Sequence, residues 1–269
     1  MKKERKYDNP SISPLESISA RLIELNRELE EKNRQLEKSE QARKNMFSNV
    51  THDLRAPVAA IRGAAERLSN EDIGGEEQKK MIKIIEARTA ALDHLISELY
   101  FSMLIDQPEF LPKLSCLEIA PVLEEFFISM AGARRLDGRK CRLNIPEGFA
   151  ARAMVDPQYF LRVLDNLLFN ALRHTEPGDS IELGCIESGD DGNHIEIYIR
   201  DSGSGIPAGD LPYIFDRTFV GEGARTPGKS GGGLGLSIVK TIIEKHGGSV
   251  RCHSVYGEGA TFTISLPSV

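Results

Sequence analysis

Apolar residues at alternating steps of three and four constrain this chain more than any other feature. From Leu15 they fall at Ile18, Leu22, Leu25, Leu29 and Leu36, then at Met46 and Val50. Such spacing draws one stripe along a helix, the seam of a coiled coil. Lys32, Ser39 and Arg43 share the register, so the seam weakens in its second half. Glu28 with Lys32, Glu30 with Arg34 and Glu40 with Lys44 add i,i+4 pairs worth about 0.3 kcal/mol each. The charges describe a solvated face and leave the apolar stripe unexplained. A lone helix cannot bury that stripe, which predicts a homodimer.

The periodicity continues through Leu54, Val58, Ile61, Ala65 and Leu68, breaks at SNEDIGG, and resumes from Met81 through Ile84, Ile85, Leu92, Leu95 and Leu99 to Met103. Two helices joined by a short glycine-containing turn form a hairpin, and two hairpins form a four-helix bundle. The segment IDQPEFLPK, residues 105–113, carries two prolines and reads as a hinge. Residues 114–269 then suffice for one core burying roughly 70% of the unfolded surface.

In that half the expected order is a strand at 114–119, a helix at 122–135, strands near 142 and 153, and a helix from Pro157 to His174. The alternating runs SIELGCIE and NHIEIYIRD flank the turn-prone SGDDGN, as in an antiparallel hairpin. A helix at about 235–246 and strands near 250 and 262 complete it. The fold class is therefore a helical hairpin forming a dimeric four-helix bundle, followed by an α+β two-layer sandwich with helices on one face of a mixed sheet. The expected domains are a polar segment 1–14, a coiled-coil helix 15–46, a dimerisation domain 47–105, a hinge 106–113 and a C-terminal domain 114–269.

Composition narrows the partners. A formal net charge of -6 with 28% charged residues gives no reason to expect nucleic acid or an anionic membrane surface. Cys116, Cys141, Cys185 and Cys252 have no CxxC or other ligand-like spacing and read as thiols in a reducing compartment. No window approaches the ~18 consecutive apolar residues of a membrane span, and MKKERKYDNP lacks the apolar core of a signal peptide. The expectation is a cytoplasmic protein, membrane-associated only if an upstream segment has been removed.

His52 lies two residues past the seam position Val50 and is expected to face solvent. Isolated exposed histidines usually do nothing, but three neighbours change this one. Asp53 is placed to orient one imidazole nitrogen and so make the other more nucleophilic. Arg55 offers positive charge to an arriving phosphoryl group. Pro57 has no N–H for the Asp53 carbonyl and weakens a regular helix by ~3 kcal/mol.

Three further clusters carry chemistry. In DNLLFNALRHT, Asn166 and Asn170 share a helical face with Arg173 and His174 one turn on. Paired amides are neutral oxygen donors suited to a hard cation on phosphates, though the pair alone also fits a solvated face. In DSGSGIP, Asp201 ends a strand where it can accept from an exocyclic amine, and Gly203 and Gly205 let backbone approach a flat ring. In SGGGLGLSIVK, glycines at 231, 232, 233 and 235 lead into a helix N-terminus, an anion site. GARTPGKS, residues 223–230, fits the GxxxxGK[ST] pattern but lacks the buried strand and the immediate helix of a true P-loop.

The segment FSNVTHDLRAP resembles the phosphoacceptor box of sensor histidine kinases. The three clusters, in order, resemble the N, G1 and G2 boxes of the ATP-binding fold shared by histidine kinases, gyrase-type ATPases and heat-shock ninety chaperones. IFDRTF, 214–219, resembles the phenylalanine-containing box between them. The resemblance covers 47–105 and 114–266 and implies ATP and Mg2+ as cofactors and a response-regulator receiver domain as partner, docking near Ala60, Ala64 and Leu68.

It further implies His52, Asp53 and Arg55 as catalytic, Asn170 as the Mg2+ ligand, Asn166 and Arg173 near the phosphates, and Asp201 on adenine. His174, Gly203, Gly205, Ile206, Phe215, Arg217, Lys229, Gly231, Gly233, Leu234, Gly235 and Leu236 complete the implied nucleotide site, with 216–234 as a mobile lid. One departure is Ala56, where the family commonly has Thr or Asn, which implies weak phosphatase activity. The rivals are a serine kinase of the same nucleotide fold, which needs neither acceptor box nor hairpin, and a dimeric scaffold with a degenerate nucleotide site.

Overall fold

The computed structural model describes residues 14–69, 73–105, 107, 109–132, 138–188, 193–217, 219 and 233–269, and leaves the side chains of a few helical residues, His52 among them, undescribed. The expected solvent-facing His52 ring, the turn at 189–192 and most of the expected lid therefore lie outside the described residues. Helix α1 spans Pro14–Leu68 and passes through Pro57 without interruption. The chain forms two compact units, Met1–Phe47 and Ser48–Val269. In the first, the seam residues Ile18, Leu22, Leu25, Leu29 and Leu36 are between 44% and 61% exposed, an apolar stripe the single chain does not cover.

The second unit opens with the rest of α1 and with α2, Gly75–Ile105, whose first turn carries Glu76 and Glu77 at the positive end of the helix dipole. Arg67 of α1 pairs with Glu77 of α2 at 2.8 Å across the turn. Val50, Ala64, Met81 and Leu95 are buried, whereas Val58, Ile82, Ile96 and Met103 leave a second apolar surface exposed.

The segment expected to be a hinge is tied down where it is described. Phe110, buried between the two prolines of the segment, packs edge-on against Phe101 of α2 and against Tyr159. Lys245 Nζ donates to the Phe110 carbonyl at 3.0 Å and lies 5.2 Å from the ring centroid. One aromatic anchor thus holds a stretch that its prolines alone would leave loose.

The remaining elements are β1 (Ser115–Glu118), α3 (Ile119–Gly132), β2 (Lys140–Asn144), β3 (Arg152–Val155), α4 (Pro157–His174), β4 (Ser180–Ser188), β5 (His194–Asp201), α5 (Gly235–Lys245), β6 (Ser249–Val255) and β7 (Gly259–Pro267). The main sheet runs β2-β4-β5-β7-β6, with β2 parallel to β4 and the other neighbours antiparallel. Two expectations need correcting. β1 and β3 pair with each other in a separate antiparallel ribbon, a choice of partner that alternation cannot encode. Helix α3 begins at Ile119 rather than 122, because Pro121 fits a first turn and Ile119 is fully buried there.

The core follows the period of each element. Ile195, Ile197 and Ile199 of β5 and Phe262, Ile264 and Leu266 of β7 are buried on one face. The apolar stripe of α4, including Val163, Leu164 and Leu167, packs on β5, and that of α5, including Ile238 and Ile242, packs on α4 and β6. On the opposite face Tyr198 donates to Glu182 at 2.9 Å and receives Asn144 Nδ2 at 2.8 Å. The arrangement brings α4, α5 and the C-terminal end of β5 to one edge.

Candidate active site

Helix α4 is held at its start by Asp156, whose carboxylate accepts from the backbone N–H groups of Gln158 and Tyr159 and, at 2.7 Å, from that of Lys113. Pro157 occupies the first position, where no N–H is required. The Asp156 N–H donates to Nε2 of buried His246 at 2.9 Å, fixing α4 to the end of α5. The spacing of Arg162, Asn166, Asn170 and Arg173 sets them in one stripe along α4. Asn166 is buried and its Nδ2 donates to the Gly235 carbonyl at 3.3 Å, linking the first asparagine to the first turn of α5. Asn170 and His174 are half-buried.

Beside the end of α4 lies the DSGSGIP loop. Asp201 is 5% exposed, and its Oδ1 accepts the Gly203 N–H at 2.9 Å. Burial pushes its carboxyl up, against the pull of the N–H groups of Gly203 and Ala260. A Cβ on Gly203 would collide with the His174 carbonyl oxygen, and Gly205 has φ +65° with the Val255 carbonyl against it, so both positions require glycine. The Ile206 N–H donates to Ser254 Oγ at 2.8 Å. Phe215 is half-buried, edge-on to Phe262, and Arg217 is exposed. Leu234 is buried, Gly233, Gly235 and Leu236 are half-buried, and Lys229 and Gly231 fall outside the described residues.

The structure brings the acceptor-box helix to this edge. Burial pulls the Arg173 guanidinium down, against the opposing pull of Asp53, which is 7% exposed, and of Glu98. Arg55 is exposed on α1. The Nε and Nη2 atoms of Arg173 are buried with no hydrogen-bond partner among the described residues.

Sequence reasoning missed three residues here. Glu98 of α2 is 5% exposed, and a Cβ built on Gly235 would lie 2.8 Å from its Oε1 and 3.9 Å from Asn166 Cγ. His94 Nε2 lies 3.8 Å from the same Oε1, and its ring centroid is 4.2 Å from that of Phe169. Arg162 donates through Nη2 to the Ser97 carbonyl at 2.8 Å and caps the Phe101 ring at 4.2 Å. The available signal was Arg162 itself, one turn before Asn166 on the stripe already identified.

Burial pushes Glu98 up to about 7, against the pull of Arg162 and Arg173. An acid whose folded-state value is raised binds its proton more tightly when folded. Its contribution to stability is therefore complete below the ordinary value of 4.5 and is lost as pH rises through about 7. Charging Glu98 costs about 3 kcal/mol above neutrality. Glu98→Gln is expected to match the wild type in melting temperature below pH 4.5 and to exceed it increasingly up to pH 8. Parallel melting curves at all pH values would contradict this.

Comparisons with known proteins agree on both halves of the chain. The family described as His Kinase A (phospho-acceptor) domain matches residues 42–107, and that described as Histidine kinase-, DNA gyrase B-, and HSP90-like ATPase matches residues 155–269. Sensor protein SrrB of Staphylococcus aureus is 34% identical over 233 residues, which cover 85% of this chain and 38% of the relative. The chain thus spans well under half the length of the curated relatives it matches. Among solved structures, histidine kinase ThkA in complex with response regulator protein TrrA aligns at a TM-score of 0.63 and 21% identity, over 86% of this chain and 66% of that one. Histidine kinase AdeS of Acinetobacter baumannii aligns at 0.57 and 19%, over 80% of this chain and 97% of that one. These likenesses support the fold.

Proposed function

Since the chain belongs to the sensor histidine kinases, we propose that it phosphorylates itself on His52 with ATP and passes the phosphoryl group to an aspartate of a response-regulator receiver domain. The observation that carries this reading is the nearness of Asp53, buried next to His52 on α1, to Arg173 on α4. Two sequence motifs 120 residues apart (173 − 53) meet at one edge of one compact unit.

In the proposed reaction an imidazole nitrogen of His52 attacks the γ-phosphorus in line, the bond from that phosphorus to the β,γ-bridging oxygen breaks, and ADP leaves. Catalysis here is positioning and charge neutralisation. Asp201, buried with one oxygen already used by Gly203, would take the adenine amine with the other. Asn166 and the first turn of α5 would bind phosphate oxygens, and Arg173 has unpaired N–H groups to give them. Asn170, a half-buried amide one turn from Asn166, would hold Mg2+ together with those oxygens. The ion neutralises charge on the phosphates when bound.

A homodimer would cover the exposed stripe of the first unit and the surface of Val58, Ile82 and Ile96. The receiver domain would dock on the cleft between α1 and α2 lined by Ala60, Ala64, Met81 and Ile84, whose rim carries Arg67 and Lys83 and fits an acidic face. No helix among the described residues is long and apolar enough to cross a membrane.

Incubation with radiolabelled ATP separates the readings. Acid-labile label on the chain supports the histidine kinase, acid-stable label on a partner supports a serine kinase, and no label supports a scaffold. Ala56 leads to a second expectation. Phosphorylated regulator incubated with the chain and ADP should lose its phosphate slowly, and Ala56→Thr should accelerate that loss by about tenfold, as one added polar group positioning water is worth. Rapid dephosphorylation by the wild type would contradict this.

A further inference from the structure

The buried carboxylate of Glu98 has no role in the reaction just described, yet it sits where that reaction needs an anion. Its Oε1 lies against the first turn of α5, 2.8 Å from where a Gly235 Cβ would be, and beside Asn166. Among the described residues, the capping position of helix α5, Leu234, supplies no side-chain hydrogen bond to the N-terminal N–H groups. Arg162 and Arg173, both on α4, act on the same carboxylate, and His94 lies 3.8 Å from it. Glu98 thus lies close to the first turn of α5 and to Asn166, within the electrostatic reach of Arg173, the groups assigned above to the ATP phosphates.

We propose that Glu98 is an internal stand-in for those phosphates, an autoinhibitory contact by which α2 occupies the phosphate cradle until nucleotide displaces it. This rests on the nucleotide-site reading above. A carboxylate and a polyphosphate compete for the same donors, and like charges forced together repel, so both cannot remain. Gly235 leaves room for the contact, since a Cβ there would press on the Glu98 oxygen and push the carboxylate aside. The contact also accounts for a charge buried at a cost to stability: the carboxylate is held ready to leave for water rather than retained for strength. Arg162 holds the Ser97 carbonyl and the Phe101 ring, contacts that would keep α2 attached to α4 as the carboxylate swings out.

The test uses the full chain with Mg2+ and compares ATP, ADP and adenosine by isothermal calorimetry. Glu98→Gln and Glu98→Ala are expected to bind ATP and ADP about tenfold more tightly than the wild type. Adenosine, which lacks phosphates, should bind all three proteins equally. Unchanged or weakened ATP binding in both variants would overturn the proposal, as would equal tightening for adenosine. Loss of a cooperative melt in both variants would overturn it too, because Glu98 would then be a structural support. If the wild type bound neither ATP nor adenosine, the failure would lie in the nucleotide-site reading instead.

Discussion

His52→Ala is expected to remove all acid-labile phosphate label from the chain while ATP still binds with unchanged affinity. The loss should be complete, because no neighbouring group can replace the nucleophile. Asp53 would give an acyl phosphate rather than a phosphoramidate, Arg55 has no free nucleophile at neutral pH, and Thr51 would give an acid-stable ester. Binding should persist because the substitution lies on α1, whereas the residues assigned to adenine and phosphate lie on α4, α5 and the loop after β5. Calorimetry with Mg2+ and ATP beside the labelling assay separates the two effects. Residual acid-labile label on the variant would place the acceptor elsewhere.

The second large effect is expected from Asp201→Asn. Asp201 is 5% exposed and already accepts the Gly203 N–H through Oδ1. Asparagine would keep that bond with its one oxygen and turn an NH2 group toward the adenine amine, so donor would face donor in a buried site. Such a mismatch costs about 3 kcal/mol, and ATP should bind about 100-fold more weakly. The fold should survive, because the Gly203 bond that closes the loop is retained. Unchanged ATP affinity would remove Asp201 from the adenine site.

Much of this was legible in the chain because the relevant signals are local. The span of α4 follows from Pro157, an Asp cap before it and a 3.6-residue period, and the β4–β5 hairpin follows from alternation around a turn. Gly203 and Gly205 are readable because their requirement is steric and belongs to a single loop. What stayed hidden depends on partners far apart in sequence. Nothing in LSCLEI or AARAMV says that the two strands pair with each other, apart from the main sheet. Phe110 reads as one apolar residue between prolines until Phe101, Tyr159 and Lys245 close on it.

Glu98 shows the same limit at the site. On α2 it looks like one more charged residue near the a/d seam, four residues from His94, and such residues are usually solvated. Only the packing of α2 on α5 buries it against Gly235. Arg173 was legible as a helix-face cation, but its nearness to Asp53 across 120 residues (173 − 53) was not.

The central claim is chemical and concerns one atom: a nitrogen of the His52 ring receives the γ-phosphoryl group of ATP. Tandem mass spectrometry at neutral pH, with fragmentation that preserves phosphoramidates, locates that group directly on chain incubated with Mg2+ and ATP. One phosphoryl group on His52 is the predicted result. A phosphoryl group on serine, threonine or another histidine, or an unmodified chain that nevertheless binds ATP, would contradict it.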